Sequence, residues 1–114
     1  MRGYLVMAKA GERGPVDPWA LGAGVYSGVV FYGGKDVGLF VLKVSRDANG
    51  GLAGQDYHVE IGETSAVLAK NPMRTRPFKL TTAAFGTKNM KPKARHYTTW
   101  RAATDALARV AGLE

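Results

Sequence analysis

Two glycine-rich turn clusters, residues 33–36 and 47–51, divide the first half of the chain into short segments with the composition of β-strands. The segments around the first cluster, residues 25–32 and 37–45, are rich in β-branched and aromatic residues. Such residues favour strands, so the pattern predicts an antiparallel hairpin. The second segment has apolar side chains at both odd and even positions, which predicts a central strand covered on both faces.

Three further segments extend this pattern along the chain. Apolar and polar residues alternate over 56–61, which predicts a half-buried strand with His58 facing solvent. Residues 64–70 begin with Thr64 and Ser65, which can cap a helix, and precede Asn71 and Pro72, which would stop it, so a short helix is predicted. Residues 78–85 are expected to form another strand.

The last part of the chain, from Thr98 or Thr99 to Ala111, is rich in alanine and is predicted to be a helix that ends at Gly112. Its apolar stripe has helical spacing and consists of Trp100, Ala103, Leu107 and Val110. This stripe fits either the core of the domain or a dimer interface.

The predicted fold is therefore a small α+β domain that occupies the whole chain, residues 1–114. It has a small, curved antiparallel sheet of four to five strands, one short helix and one C-terminal helix. We expect such a domain to pair as a homodimer through its helix or an edge strand.

Two segments near the start of the chain lack a clear element. Residues 11–24 contain many glycines and prolines and are predicted to be a loop. We favour a role for Trp19 as the ring that anchors this loop to the core, over a role in ligand contact. Because Met7 resembles an alternative start, residues 1–6 are expected either to be dispensable or to add an edge strand to the sheet.

The chain has no cysteine, which excludes disulfides, thiolate catalysis and cysteine-based metal sites. Its first apolar run, residues 4–8, is too short for a signal peptide or a membrane span. The expected location is the cytoplasm, without a membrane partner.

The charge is distributed unevenly along the chain. No carboxylate occurs between Glu63 and Asp105, and nine of the sixteen Lys and Arg residues lie there. The other seven cations stand against nine anions, so this one segment accounts for the net charge of +7. A tract of one sign repels itself unless an anion neutralises it, which indicates an anionic partner.

Aromatic residues lie between these cations, as single-stranded nucleic acid requires: cations neutralise phosphates while unpaired bases stack on rings. Phe78, Phe85 and Trp100 are expected in the core rather than at the surface, whereas Tyr97 is expected at the surface.

Residues 86–96 are predicted to be a basic loop. The predicted nucleic-acid-binding residues are Arg74, Arg76, Lys79, Lys88, Lys91, Lys93, Arg95 and Tyr97. Arg101 is left out because Asp105 and Arg109 follow it at ion-pair spacing on the helix.

The sequence contains only partial matches to known catalytic motifs. The Gly33-Gly34-Lys35 turn lacks the spacing of a phosphate-binding loop. Asp56, Glu60 and Glu63 form at most an unspecific acidic cluster, and a ribonuclease built from Glu60 and a histidine is a minor alternative. No cofactor and no metal is predicted.

The sequence thus predicts a non-enzymatic protein that binds nucleic acid, with single-stranded DNA or RNA favoured over duplex. The alternative is a small adaptor or inhibitor protein of a phage or mobile element, whose basic face binds an acidic protein surface. A structural assembly protein is a third possibility.

Overall fold

The computed structural model describes residues 4–12, 14–71, 75–83 and 92–113. Along these residues lie seven strands and one α-helix, which are β1 (Leu5–Lys9), β2 (Gly24–Tyr32), β3 (Lys35–Arg46), β4 (Leu52–Ile61), β5 (Thr64–Lys70), β6 (Phe78–Thr82), β7 (Lys93–Tyr97) and α1 (Trp100–Val110). The strands form one antiparallel sheet in which each strand pairs with its neighbours in sequence, so β1 and β7 are the edges. The fold is α+β, as predicted.

The core lies on the face of the sheet against which α1 packs. Successive side chains of a strand point to opposite faces, and the register brings the apolar residues of neighbouring strands onto the same face. The buried pairs on this face include Phe40 with Val59, Leu42 with Tyr57, and Leu68 with Leu80. From α1, Ala103 and Leu107 complete the core, and both are fully buried.

The helix α1 has the predicted ends. Thr99 is its N-cap, and its hydroxyl oxygen accepts a hydrogen bond from the Ala102 amide at 3.1 Å. Beyond the last turn, Gly112 adopts φ +77°, a conformation that glycine tolerates best. Within the described residues, no helix is long and apolar enough to cross a membrane.

The hairpin of β2 and β3 is confirmed, with its turn at Gly33 and Gly34, both at positive φ. The strand β4 and the exposure of His58 are confirmed as well. Of the two alternatives for the start of the chain, the added edge strand is found in part. Strand β1 begins at Leu5, forms an edge of the sheet and buries Leu5 and Met7.

The predicted helix at residues 64–70 is wrong, since these residues form β5. Gly62 adopts φ +60° and reverses the chain directly after β4, which places β5 beside it. Ala66 and Leu68 are then buried at a spacing of two residues. Threonine and serine occur in strands as well as at helix caps. The tight turn before them brings the segment alongside β4, and its pairing with β4 and β6 decides the outcome.

The predicted size of the sheet also needs correction. It has seven strands rather than four to five, because β1, β5 and β7 each add to the predicted set. Over the residues that the structure describes, the sheet is not clearly curved. The predicted loop at residues 86–96 is wrong for its last part, since Lys93–Tyr97 is strand β7; residues 84–91 lie outside the described residues.

The strand β3 is central, but it is covered on one face only. Leu39 is 61% exposed and Val41 38% exposed, while Phe40 and Leu42, which alternate with them, are buried. We call this uncovered side, which also carries His58, the open face of the sheet.

The loop at residues 11–24 is attached to the sheet by a different residue from the one predicted. Trp19 lies in a short 3-10 helix, Pro18–Ala20, and its side chain is 63% exposed, so it is not the anchor. The guanidinium group of Arg46 instead donates hydrogen bonds to the backbone carbonyls of Pro18, Trp19 and Leu21. Pro18 is the buried residue of this segment.

Candidate nucleic-acid interface

Because of the sheet topology, the positive charge that is concentrated in one segment of the sequence is also concentrated in one region of the molecule. In a sheet whose strands follow their sequence order, residues that are close along the chain stay close in space. The carboxylate-free segment therefore supplies β6, β7 and the turn before β6, at one edge of the sheet. We call this region the basic end; its described cations are Arg76, Lys79, Lys93 and Arg95.

These cations are distributed over both faces of the basic end. Lys79 lies on the open face, directly opposite His96 of β7. Lys93 and Arg95 are opposite Thr82 and Leu80, whose side chains point to the helix-covered face, so they lie on that side. All four cations are exposed. A flexible chain of phosphates, such as a single-stranded nucleic acid, can contact both faces of such an edge.

The remaining predicted site residues have different outcomes. Arg74, Lys88 and Lys91 lie outside the described residues. Tyr97 is half-buried and packs against the core rather than standing free at the surface, because its position on β7 is opposite Phe78 on the helix-covered face.

An apolar cleft of about 520 Å³ opens beside the start of α1. We call it the aromatic cleft; the side chains that define it are Tyr4, Tyr57, Phe78, Trp100, Lys70 and Arg101. Its volume lies in the range of sites for small organic molecules.

The rings of the aromatic cleft pack against each other at angles. The centroid of the Trp100 ring is 5.0 Å from that of Tyr57 and 5.9 Å from that of Phe78, with interplanar angles of 52° and 65°. Tilted and edge-on contacts of this kind are favourable for aromatic pairs. They form a fixed apolar wall because Tyr57 is buried and the other two rings are half-buried.

Both cations of the aromatic cleft lie over aromatic rings. The Lys70 Nζ atom is 5.5 Å from the centroid of Phe78 and 5.9 Å from that of Trp19. The Cζ atom of Arg101 lies 3.7 Å from the centroid of Tyr4. The Nε atom of Arg101 also donates to the carboxylate of Asp105 at 2.9 Å, the ion pair that the helix spacing predicts.

The Tyr57 hydroxyl is one of the polar groups of the residues that line the cleft. It donates a long hydrogen bond, 3.4 Å, to the Oε1 atom of the buried Gln55. Burial raises the pKa of Tyr57 above its ordinary value, and the negative charge of Asp17 acts in the same direction. Tyr57 therefore stays protonated near neutral pH, and its O–H remains a donor.

Sequence reasoning missed this cleft. Tyr4 is 58% exposed, and the partners of its ring lie almost a full chain length away on α1, so no local spacing reveals the contact. For Trp19, the neighbouring Pro18 is a weak signal: it takes the buried position, which leaves the indole ring at the surface.

The groups considered for catalysis lie on the open face. His58 and Glu60 line one groove there with Leu39 and Val41, and none of the described residues that line this groove is a Lys or Arg that would hold a phosphate. His96 is three strands from His58, so their backbones are at least about 14 Å apart. Among the described residues, no group of three His, Asp or Glu side chains is arranged to hold a metal ion.

Comparisons with protein-family models, with curated proteins and with solved structures found no match to this chain.

Proposed function

We propose that this protein is a non-enzymatic nucleic-acid-binding protein that takes single-stranded DNA or RNA with little base specificity. The observation that carries the proposal is the basic end, where strand order collects the cations of a segment without a single carboxylate. Phosphate neutralisation by Lys and Arg supplies most of the affinity in complexes of this kind. We further propose that it acts in the cytoplasm as a homodimer.

The preference for single strands is supported by the aromatic residues near the cations. Unpaired bases stack on exposed rings, whereas the bases of a duplex are already stacked and largely hidden from such contacts. Trp19 and Tyr4 are exposed rings, and each has a cation of the same carboxylate-free segment beside it, Lys70 and Arg101 respectively.

A second candidate function is the small adaptor or inhibitor protein that binds an acidic protein surface. In that case the basic end would contact the acidic surface. The open face supports a protein partner, because Leu39 and Val41 expose apolar surface next to the charged Glu60 and Lys43. Exposed apolar patches with a polar rim are typical of protein-binding surfaces. A third explanation of the charges on the edge strand β7 needs no ligand at all: charged side chains on an edge strand prevent it from pairing with the sheet of another molecule.

Fluorescence anisotropy with labelled single-stranded DNA, single-stranded RNA and duplex of equal length tests the proposal. Across a salt series from about 50 to 200 mM, we expect single strands to bind at least tenfold more tightly than duplex, with a steep fall in affinity as salt rises. Polyglutamate of matched charge serves as a competitor and should not displace the strand at equal charge concentration. Weak and equal binding to every nucleic acid, with efficient displacement by polyglutamate, would overturn the proposal in favour of an acidic protein partner.

A further inference from the structure

The aromatic cleft is a distinct feature from the basic end, although both involve the same charged segment. Lys70 and Lys79 lie on adjacent strands, but their side chains point to opposite faces of the sheet, because Lys79 is opposite Ala69 in the register and Phe78 is opposite Lys70. Lys70 therefore belongs to the helix-covered side, where the cleft lies, and Lys79 to the open face. The two can be changed independently.

The wall of the cleft suits a flat, apolar ring. Tyr57, Phe78 and Trp100 supply aromatic surface, and their mutual contacts hold them in place without a ligand. A preformed apolar wall favours a rigid ligand, since little ordering is needed on binding. The buried Tyr57 hydroxyl and Gln55 amide add polar groups that could pair with the edge of a heterocycle.

The rim of the cleft suits a negative charge. Lys70 and Arg101 both line it, and the described residues that line it include no carboxylate. The contact with Asp105 and the ring of Tyr4 hold the Arg101 guanidinium group in one orientation at the rim. A ring joined to an anion matches the cleft better than a purely apolar ligand does, because Lys70 supplies a positive charge directly beside the aromatic wall, next to the Arg101 guanidinium that Asp105 holds in place.

We infer that the aromatic cleft binds one nucleotide unit, with its base against Tyr57, Phe78 and Trp100 and its phosphate near Lys70 and Arg101. The inference rests on the proposed function in taking a nucleotide as the ligand. It adds a specific binding site to the general attraction of the basic end. In a single strand, the base in the cleft is turned out from its neighbours, which a duplex does not permit without unpairing.

Tryptophan fluorescence can report on the cleft alone. The chain has two tryptophans, and in a Trp19→Phe variant Trp100, which lines the cleft, is the only one left. Trp19 is mostly exposed and phenylalanine keeps a ring beside Lys70, so the variant should fold. The probes are thymidine monophosphate, ribose 5-phosphate, oligothymidylate, and an abasic strand of the same length.

We expect thymidine monophosphate to quench Trp100, and ribose 5-phosphate, which lacks a base, to leave it unchanged. The abasic strand should bind about tenfold more weakly than oligothymidylate, because stacking of the base is lost. In the same background, Lys70→Gln should weaken binding of the mononucleotide about tenfold. Lys79→Gln removes an equal charge from the opposite face and should not affect it.

The outcomes separate this inference from the proposed function. If both strands bind equally and Trp100 does not respond, the cleft is not a nucleotide site, although binding by the basic end stands. If no strand binds but the mononucleotide quenches Trp100, the cleft is confirmed and the proposed function fails. If neither strand nor mononucleotide binds, both are wrong.

Discussion

Replacing Gly28 with alanine is expected to destabilise the protein by about 3 kcal/mol or more. Gly28 lies in β2 between β1 and β3, directly opposite Phe40. A Cβ atom there would overlap the backbone carbonyl oxygen of Ala8 and come within 2.7 Å of the Phe40 ring. Because one of the clashing groups is backbone and the ring is buried, the strands must shift apart to make room. Urea unfolding followed by circular dichroism measures the loss.

The matched control is Gly54→Ala in β4. A Cβ atom at Gly54 would meet no other atom within 4 Å, so the change should alter stability by no more than about 0.5 kcal/mol. If the Gly28 variant were as stable as the Gly54 variant, the pairing of β2 with its two neighbours would be wrong, and with it the order of the sheet.

Neutralising the basic end should produce the largest change in binding. In the triple variant Arg76→Gln, Lys79→Gln, Lys93→Gln, three exposed cations are lost. Each phosphate contact to a single strand contributes about 0.7 to the salt slope, so the slope should fall by about 2, and the affinity near 0.1 M salt by about a hundredfold. Anisotropy with labelled oligothymidylate measures both quantities.

A second triple variant provides the control for net charge. Lys35→Gln, Lys43→Gln, Arg109→Gln also removes two lysines and one arginine, all exposed and all outside the carboxylate-free segment. Screening limits the reach of exposed charges to about 8–10 Å at ordinary salt, so we expect no more than about a threefold loss of affinity. Equal losses in the two variants would mean that net charge alone, and no particular surface, attracts the strand.

The parts of the fold that were predictable from the sequence depend on local signals. The hairpin of β2 and β3 follows from a glycine turn between apolar segments, and α1 from its stripe, its cap at Thr99 and the glycine at its end. The predicted helix at residues 64–70 was wrong because Thr64 and Ser65 occur both as helix caps and as strand residues. The pairing of β5 with β4 and β6 decides between them, and that is a tertiary contact.

Part of the candidate site was predictable for the same reason. The carboxylate-free segment is visible in the sequence, and it forms one region of the molecule because the strands keep their order in the sheet. The aromatic cleft was not predictable, since Tyr4 of the first residues meets Arg101 of the last helix. Trp19 was assigned to the core on its residue type, whereas its side chain is mostly exposed and hydrogen bonds from Arg46 to backbone carbonyls hold the loop.

The most direct test of the central claim is a two-dimensional ¹⁵N–¹H NMR titration of the protein with oligothymidylate. If the basic end binds the strand, the largest amide shift changes will fall in residues 75–82 and 93–97, while residues 35–46 of β3 change little. Largest changes in β1 to β3, with residues 75–82 and 93–97 unchanged at saturation, would contradict the account.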